Sequence, residues 1–302
     1  MDILTRPMHE SDLTEADSIF RLAFGTFIGL PDPATFAAGR DYIRTRFFAD
    51  PGGAIVAEVE GRMVGSNMAA NWGSLGTFGP VAVRPEYWNK GVAQALLTPT
   101  MEIFENRGVR EAGLFTFAQS PKHVCLYQKF NFWPRFLIGL MTKTVTSREA
   151  SFSTEPDEAA CAQLTNAIFE GLDAAVEIRS VRKQKLGETV LVWGANGLEA
   201  FAICHCGEGT EAGAGNLYIK FAAVHPGADL PGRFARLLAA CEALAATRGL
   251  ERIEAGIHME RTDAYRDMLR LGFRMERTAL AMHRANHPAY NRTDTYVLDD
   301  WR

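Results

Sequence analysis

The sequence predicts an α/β fold, a mixed β-sheet flanked by helices and built twice in tandem, and three observations carry that reading. The first is a strand-to-helix junction from Val81 to Ala93, which reads Val-Ala-Val-Arg-Pro-Glu-Tyr-Trp-Asn-Lys-Gly-Val-Ala. A β-branched run stops at Pro85, crosses a polar turn and reaches a Gly-x-Ala that opens an amphipathic helix. The second is an internal repeat. Val83-Arg84-Pro85 recurs as Val224-His225-Pro226, 141 residues later, and the same offset sets Gly91 on Gly232, Leu96-Leu97 on Leu237-Leu238, Arg107-Gly108 on Arg248-Gly249 and Phe132 on Phe273. The third is the alternation of strand and helix patterns along both copies, which lays helices against a sheet.

Composition sets the outer limits. The 302 residues suffice for two domains of ~150 residues each, expected at 1–146 and 155–302. A content of 47% hydrophobic and 23% charged residues is that of an ordinary globular chain. The net charge of -4 argues against a nucleic-acid partner. No apolar run reaches the ~18 residues of a membrane span, and the N-terminus lacks the basic and apolar regions of a signal peptide, so a cytoplasmic protein without a membrane partner is expected. Five cysteines without framework spacing predict reduced thiols. Cys204-His205-Cys206 comes nearest to a metal motif, but on a strand its two cysteines share one face while His205 points away, and no further ligands lie nearby, so no metal is predicted. No G-x-S-x-G elbow is present to anchor a hydrolase.

The junction is suited to an anion. The first turn of a helix leaves about four N–H groups unpaired and carries roughly half a positive charge from the helix dipole, a setting that fits a pyrophosphate. Gly91 lets backbone approach a phosphate, Ala93 keeps the next turn small, and Lys90 adds a cation. Neither the G-x-G-x-x-G spacing nor a G-K-[ST] follows. The arrangement resembles motif A of the GNAT superfamily of acetyl-CoA-dependent N-acyltransferases, Q/R-x-x-G-x-G/A after a bulged strand, and the likeness covers about the first half of the chain. Trp88 replaces the usual Gln or Arg, and Pro99 falls inside the motif helix, where it removes the bond to the carbonyl of Ala95 and is expected to kink the axis beyond the phosphate site.

With this frame the elements follow in order. Ile3 to Pro7 and then Glu10 to Leu13 resemble the family's first strand and first helix, and the long insertion from Phe24 to Phe48 falls where such enzymes shape the acceptor site. Ala54 to Glu60 and Met63 to Ala70 read as two strands around a tight turn at Glu60-Gly61. A buried strand spans Glu111 to Phe117. Ser120 as N-cap and Pro121 at the first position then start a helix to Lys129. Phe130-Asn131-Phe132 leads into strand ending near Val145. In the second copy, strands are expected at Thr189 to Trp193, Leu198 to Cys204, Leu217 to Val224 and Arg252 to His258, with a helix burying Phe234, Leu237, Leu238, Cys241 and Leu244.

The resemblance implies direct transfer of an acetyl group from acetyl-CoA, as co-substrate, to an amine. It nominates for coenzyme contact the strand residues Val81, Ala82 and Val83, the motif residues Trp88, Asn89, Lys90, Gly91, Val92, Ala93 and Gln94, and Ser120. It implies that Tyr127 gives a proton to the departing thiolate, and that the Val83 N–H polarises the thioester carbonyl. For the base, His123 lies one turn before Tyr127, Glu58 and Glu60 lie in the hairpin, and some tandem relatives use a C-terminal carboxylate, this chain ending Asp299-Asp300-Trp301-Arg302. The second copy has Leu230, Pro231, Gly232, Arg233 and Phe234 at the motif and Met268 in place of Tyr127, so it is expected not to hold coenzyme. The acceptor is expected to be a small-molecule or peptide amine, and the chain a monomer or homodimer. The alternative is a non-catalytic acyl-CoA-binding sensor or scaffold.

Overall fold

A computed structural model describes residues 1–146 and 149–302. Strand β1 (Leu4–Pro7) leads through a 3-10 turn at Glu10–Asp12 into helix α1 (Leu13–Phe27), as the resemblance implies. Arg6 and the Asp12 carboxylate pair at 2.7 Å across the start of that helix, and Leu13, Ala16, Ile19, Phe20 and Ala23 form its buried face. The insertion is ordered, with a 3-10 turn at Pro33–Thr35 and helix α2 (Ile43–Ala49).

Strands β2 (Ala54–Val59) and β3 (Arg62–Trp72) form the expected hairpin, with φ of 52° at Glu60 and 74° at Gly61, the left-handed pair a two-residue turn requires. The next strand is interrupted. It divides into β4 (Leu75–Phe78) and β5 (Ala82–Val83), both paired to β3. Helix α3 (Val92–Asn106), β6 (Glu111–Thr116), helix α4 (Pro121–Gln128) and β7 (Trp133–Thr144) complete the first half. Helix α3 is continuous through Pro99.

The second half begins with helices α5 (Glu158–Ile168) and α6 (Ala175–Gln184) and runs on through β8 (Gly187–Gly194), β9 (Gly197–Cys206), β10 (Asn216–Val224), α7 (Leu230–Thr247), β11 (Arg252–His258), α8 (Thr262–Arg270), β12 (Arg274–Arg284) and β13 (Val297–Leu298). The repeat is visible in three dimensions. Strands β4 and β10, β6 and β11, helices α4 and α8, and strands β7 and β12 each begin 141 residues apart. Helix α7 departs from it: it ends in register with α3 but starts one turn early, so Gly232 lies inside the helix and Asp229 is the N-cap.

One continuous sheet joins the halves in the order β1-β2-β3-β4-β6-β12-β7-β11-β10-β9-β8, with β5 on β3 and β13 on β10. Strand β12 of the second half lies between β6 and β7 of the first, and β7 in turn pairs with β11. The halves therefore exchange their last long strands, and a single sheet joins them through these pairings. Apolar layers cover both faces. One forms around α7 with Phe234, Leu237 and Cys241, and another around α5 and α6 with Leu164, Ile178 and Phe201. The Cys204 thiol lies in the α7 layer 3.9 Å from that of Cys241, on the opposite face from His205. No helix among the described residues is long and apolar enough to cross a membrane.

Candidate active site

In each half a parallel strand pair starts in register and then opens. Leu75–Thr77 of β4 pair with Glu111–Gly113 of β6, and Asn216–Ile219 of β10 pair with Arg252–Ala255 of β11. Beyond those residues the strands part. In the first half the opening leads into a cavity of about 710 Å³, walled by β5, the starts of α3 and α4, and the α1–α2 insertion.

The start of α3 is shaped by backbone. After β5 a 3-10 turn at Pro85–Tyr87 leads to Asn89 and Gly91, with φ of 63° and 86°. The left-handed turn at Gly91 suits glycine, because a Cβ there crowds its own carbonyl. The first helical bond is Ala95 N–H to Gly91 O at 3.0 Å, so the N–H groups of Val92, Ala93 and Gln94 have no partner inside the helix. All three residues, with Gly91, Asn89 and Trp88, line the cavity. Lys90 lies over the Tyr87 ring at 5.2 Å and Lys122 over the Trp88 ring at 5.2 Å, two ammonium groups near the helix start.

Trp88 has a role that the motif comparison did not foresee. Its indole N–H donates to the Val83 carbonyl at 2.7 Å, tying the turn back to β5. In β5, Ala82 faces Ser66 of β3, and the Arg84 N–H donates to Val64 O at 2.9 Å. Antiparallel alternation then turns the N–H groups of Val81 and Val83 away from β3, toward the opening. Val81 and Val83 line the cavity, whereas the Ala82 side chain is packed in the α1 core.

On α4, Ser120 caps the helix, its hydroxyl oxygen accepting from the His123 N–H at 3.4 Å, and it lies off the cavity wall. His123 and Tyr127, one turn apart, both line the cavity. Tyr127 is buried beside Phe78, centroids 5.8 Å apart, its hydroxyl makes no hydrogen bond to the described residues, and burial pushes its phenol above the usual range. His123 packs against Phe27 at 4.8 Å with Nδ1 unpartnered, and burial, then Lys122, pulls its imidazole below the usual value. The pair therefore offers a protonated phenol and a neutral imidazole at neutral pH. Glu58 pairs with Arg6 at 2.7 Å, and neither it nor Glu60 reaches the cavity.

The second half closes its own opening. Ala222 and Ala223 of β10, the repeat counterparts of Val81 and Ala82, pair with Leu298 and Val297 of β13. The Val224 N–H, counterpart of that of Val83, donates to Tyr296 O at 3.0 Å. The start of α7 is blocked as well. Pro231 has no N–H, Phe234 is buried in the core, and a Cβ on Gly232 would lie 2.3 Å from Asp229 Oδ1, so a carboxylate already rests against the helix.

From β13 the chain crosses the sheet to the first half. Asp299 accepts from Tyr290 Oη at 2.5 Å and Trp301 Nε1 at 3.1 Å and pairs with the fully buried Arg261 at 2.7 Å. The Trp301 ring lies against Gly113 of β6, and Trp301 and Arg302 reach the cavity wall. There Arg46 donates to the main-chain oxygens of Arg302 and Gly79 and makes a two-point pair with Glu211, at 3.0 and 2.9 Å. Lys220 joins Glu211 at 2.6 Å. This buried network, linking residues far apart in the chain, escaped sequence reasoning. Its one signal was a lysine inside the apolar strand Leu217 to Val224.

Comparison with known proteins agrees with this geometry. Residues 16–132 match the profile of the Acetyltransferase (GNAT) family. A candidate acetyltransferase of Pyrococcus horikoshii superposes with TM-score 0.71 at 14% identity, covering 99% of this chain and 95% of that one. GCN5-related N-acetyltransferases of Sphaerobacter thermophilus (TM-score 0.61, 16% identity, 93% and 95% covered) and Kribbella flavida (0.52, 14%, 93% and 70%) share the fold. No curated protein matches the chain in sequence. Residues 16–132, which hold the open cleft, α3 and α4, thus match the GNAT acetyltransferase family, and the whole chain has the fold of its solved structural neighbours.

Proposed function

We propose that this protein is an acetyl-CoA-dependent N-acetyltransferase that moves an acetyl group directly to the amine of a small molecule or peptide, with only the first half binding coenzyme. The observation that carries the reading is the contrast between equivalent clefts: one open beside an unpaired helix start, the other occupied by β13 and by the Asp229 carboxylate. The pyrophosphate lies on the N–H groups of Val92, Ala93 and Gln94, with Lys90 and Lys122 beside it. The pantetheine arm runs along β5 as β13 runs along β10, bringing the thioester toward Tyr127 and His123.

His123 takes a proton from the acceptor ammonium, and the freed lone pair attacks the thioester carbon. The Val83 N–H favours the oxyanion. As the tetrahedral intermediate collapses, the C–S bond breaks, Tyr127 protonates the thiolate and the nitrogen gives its second proton to solvent; solvent then restores both side chains. A sensor that binds acyl-CoA without turnover is the second reading, favoured by the lack of any Asp or Glu among the described cavity-lining residues. A panel of amines with detection of released thiol separates the two. Amine-dependent release supports the transferase, whereas coenzyme binding with no release for any amine supports the sensor.

A further inference from the structure

The cavity beyond the thioester position is walled by rings. Phe24 and Phe36 stack with centroids 5.4 Å apart and planes inclined by 25°. Phe24 reaches Phe117 at 6.2 Å, Phe117 meets Phe27 at 4.9 Å, and Phe27 meets His123 at 4.8 Å. All five side chains are half-buried and line the cavity, unlike Phe132 and Phe104, which are buried in the core behind α3. Half-exposed aromatic faces that converge on a cavity leave apolar surface for a ligand to cover.

Charge narrows the choice further. Lys122, Lys129 and Arg277 line the cavity without a carboxylate partner among the described residues, Arg40, Arg46 and Arg302 line it already paired with Glu254, Glu211 and Asp300, and no Asp or Glu side chain lines it. A single ammonium can rest on the ring faces by cation–π attraction before it loses its proton. A second ammonium would find no Asp or Glu side chain there, and would meet Lys122, Lys129 and Arg277 in a partly desolvated space.

We propose that the acceptor is an aromatic monoamine, its ring lying against Phe24, Phe27, Phe36 and Phe117 and its amino group at His123, and that polyamines and other polycationic amines are rejected. The inference rests on the transferase reading for its chemistry but has its own test in binding. Calorimetry on the full chain without coenzyme compares 2-phenylethylamine, propylamine and spermidine. The expected result is 2-phenylethylamine binding at least tenfold tighter than either of the others, with Phe27→Ala and Phe117→Leu each losing fivefold or more while keeping the wild-type affinity for acetyl-CoA. Equal or tighter binding of spermidine, no binding of 2-phenylethylamine, or unchanged affinity in both variants would overturn it. Ring-dependent amine binding by a chain that does not bind acetyl-CoA would instead sink the transferase reading and leave the aromatic site standing.

Discussion

The Val224 N–H donates to the Tyr296 carbonyl at 3.0 Å, while on that side of Val83, 141 residues earlier, no strand lies among the described residues. The second half has made permanent, with its own chain, a contact that the first half leaves to a ligand. Amide hydrogen exchange reads this directly. Amides 222–224 should be protected with or without acetyl-CoA, whereas those of Val81 and Val83 should gain protection only when it is added. Equal ligand-induced protection in both strands would contradict the assignment.

Tyr127 and His123 have separable effects. Tyr127→Phe removes one oxygen without a cavity, so turnover should fall about 10²-fold or more, within the ~10²–10⁴-fold reach of general acid catalysis, at unchanged acetyl-CoA affinity. His123 has a lowered pKa, so the neutral imidazole persists at neutral pH and the acid limb of kcat/KM falls below the ordinary histidine value of ~6.5. His123→Gln should abolish that limb. A limb that survives in the variant belongs to another group.

Arg46 is a structural hub as well as a cavity residue. Arg46→Met leaves Glu211 buried with Lys220 as its remaining cation, and breaking a buried pair in this way costs about 3–5 kcal/mol. Urea denaturation measures the loss. Arg46→Met combined with Glu211→Gln should cost less than the two single changes added together, because the carboxylate left without its guanidinium has gone.

Acid should destabilise the fold from an unusually high pH. Burial holds His205 and His283 down to about 3 and His258 well below its usual value, so all three are neutral in the folded state. The unfolded chain takes up these protons near pH ~6.5, so stability is present above that value and is lost as pH falls through it. Three such groups give a limiting slope of about 4 kcal/mol per pH unit. Melting temperatures measured from pH 7 to pH 5.5 should fall steeply, and a flat profile would contradict buried neutral imidazoles.

The repeat was legible because its elements keep their spacing. With no insertion between β10 and β12, one offset carries four elements into register, and only the early start of α7 shifts a named residue, Gly232, from cap to helix interior. The exchange of β7 and β12 left no local trace, since a strand's own pattern fixes its buried faces and not its partner. The plug at Tyr296–Leu298 and the Arg46–Glu211 pair were hidden for a related reason. They are contacts between segments dozens to hundreds of residues apart, and neither spacing nor periodicity records such a meeting. In the candidate site, the backbone device at Gly91 could be read from small residues before a helix, whereas the tie from Trp88 to Val83 looked like a missing Gln or Arg.

Titration of the full chain with acetyl-CoA tests the central claim most directly. Calorimetry should give one site per chain, and Gly91→Glu, which sets a carboxylate at the phosphate position where a Cβ meets only Ile3 at 3.8 Å, should abolish the heat while Gly91→Ala, strained only by its φ of 86°, binds more weakly in a folded protein. Two sites per chain, or undiminished binding by Gly91→Glu, would contradict the account.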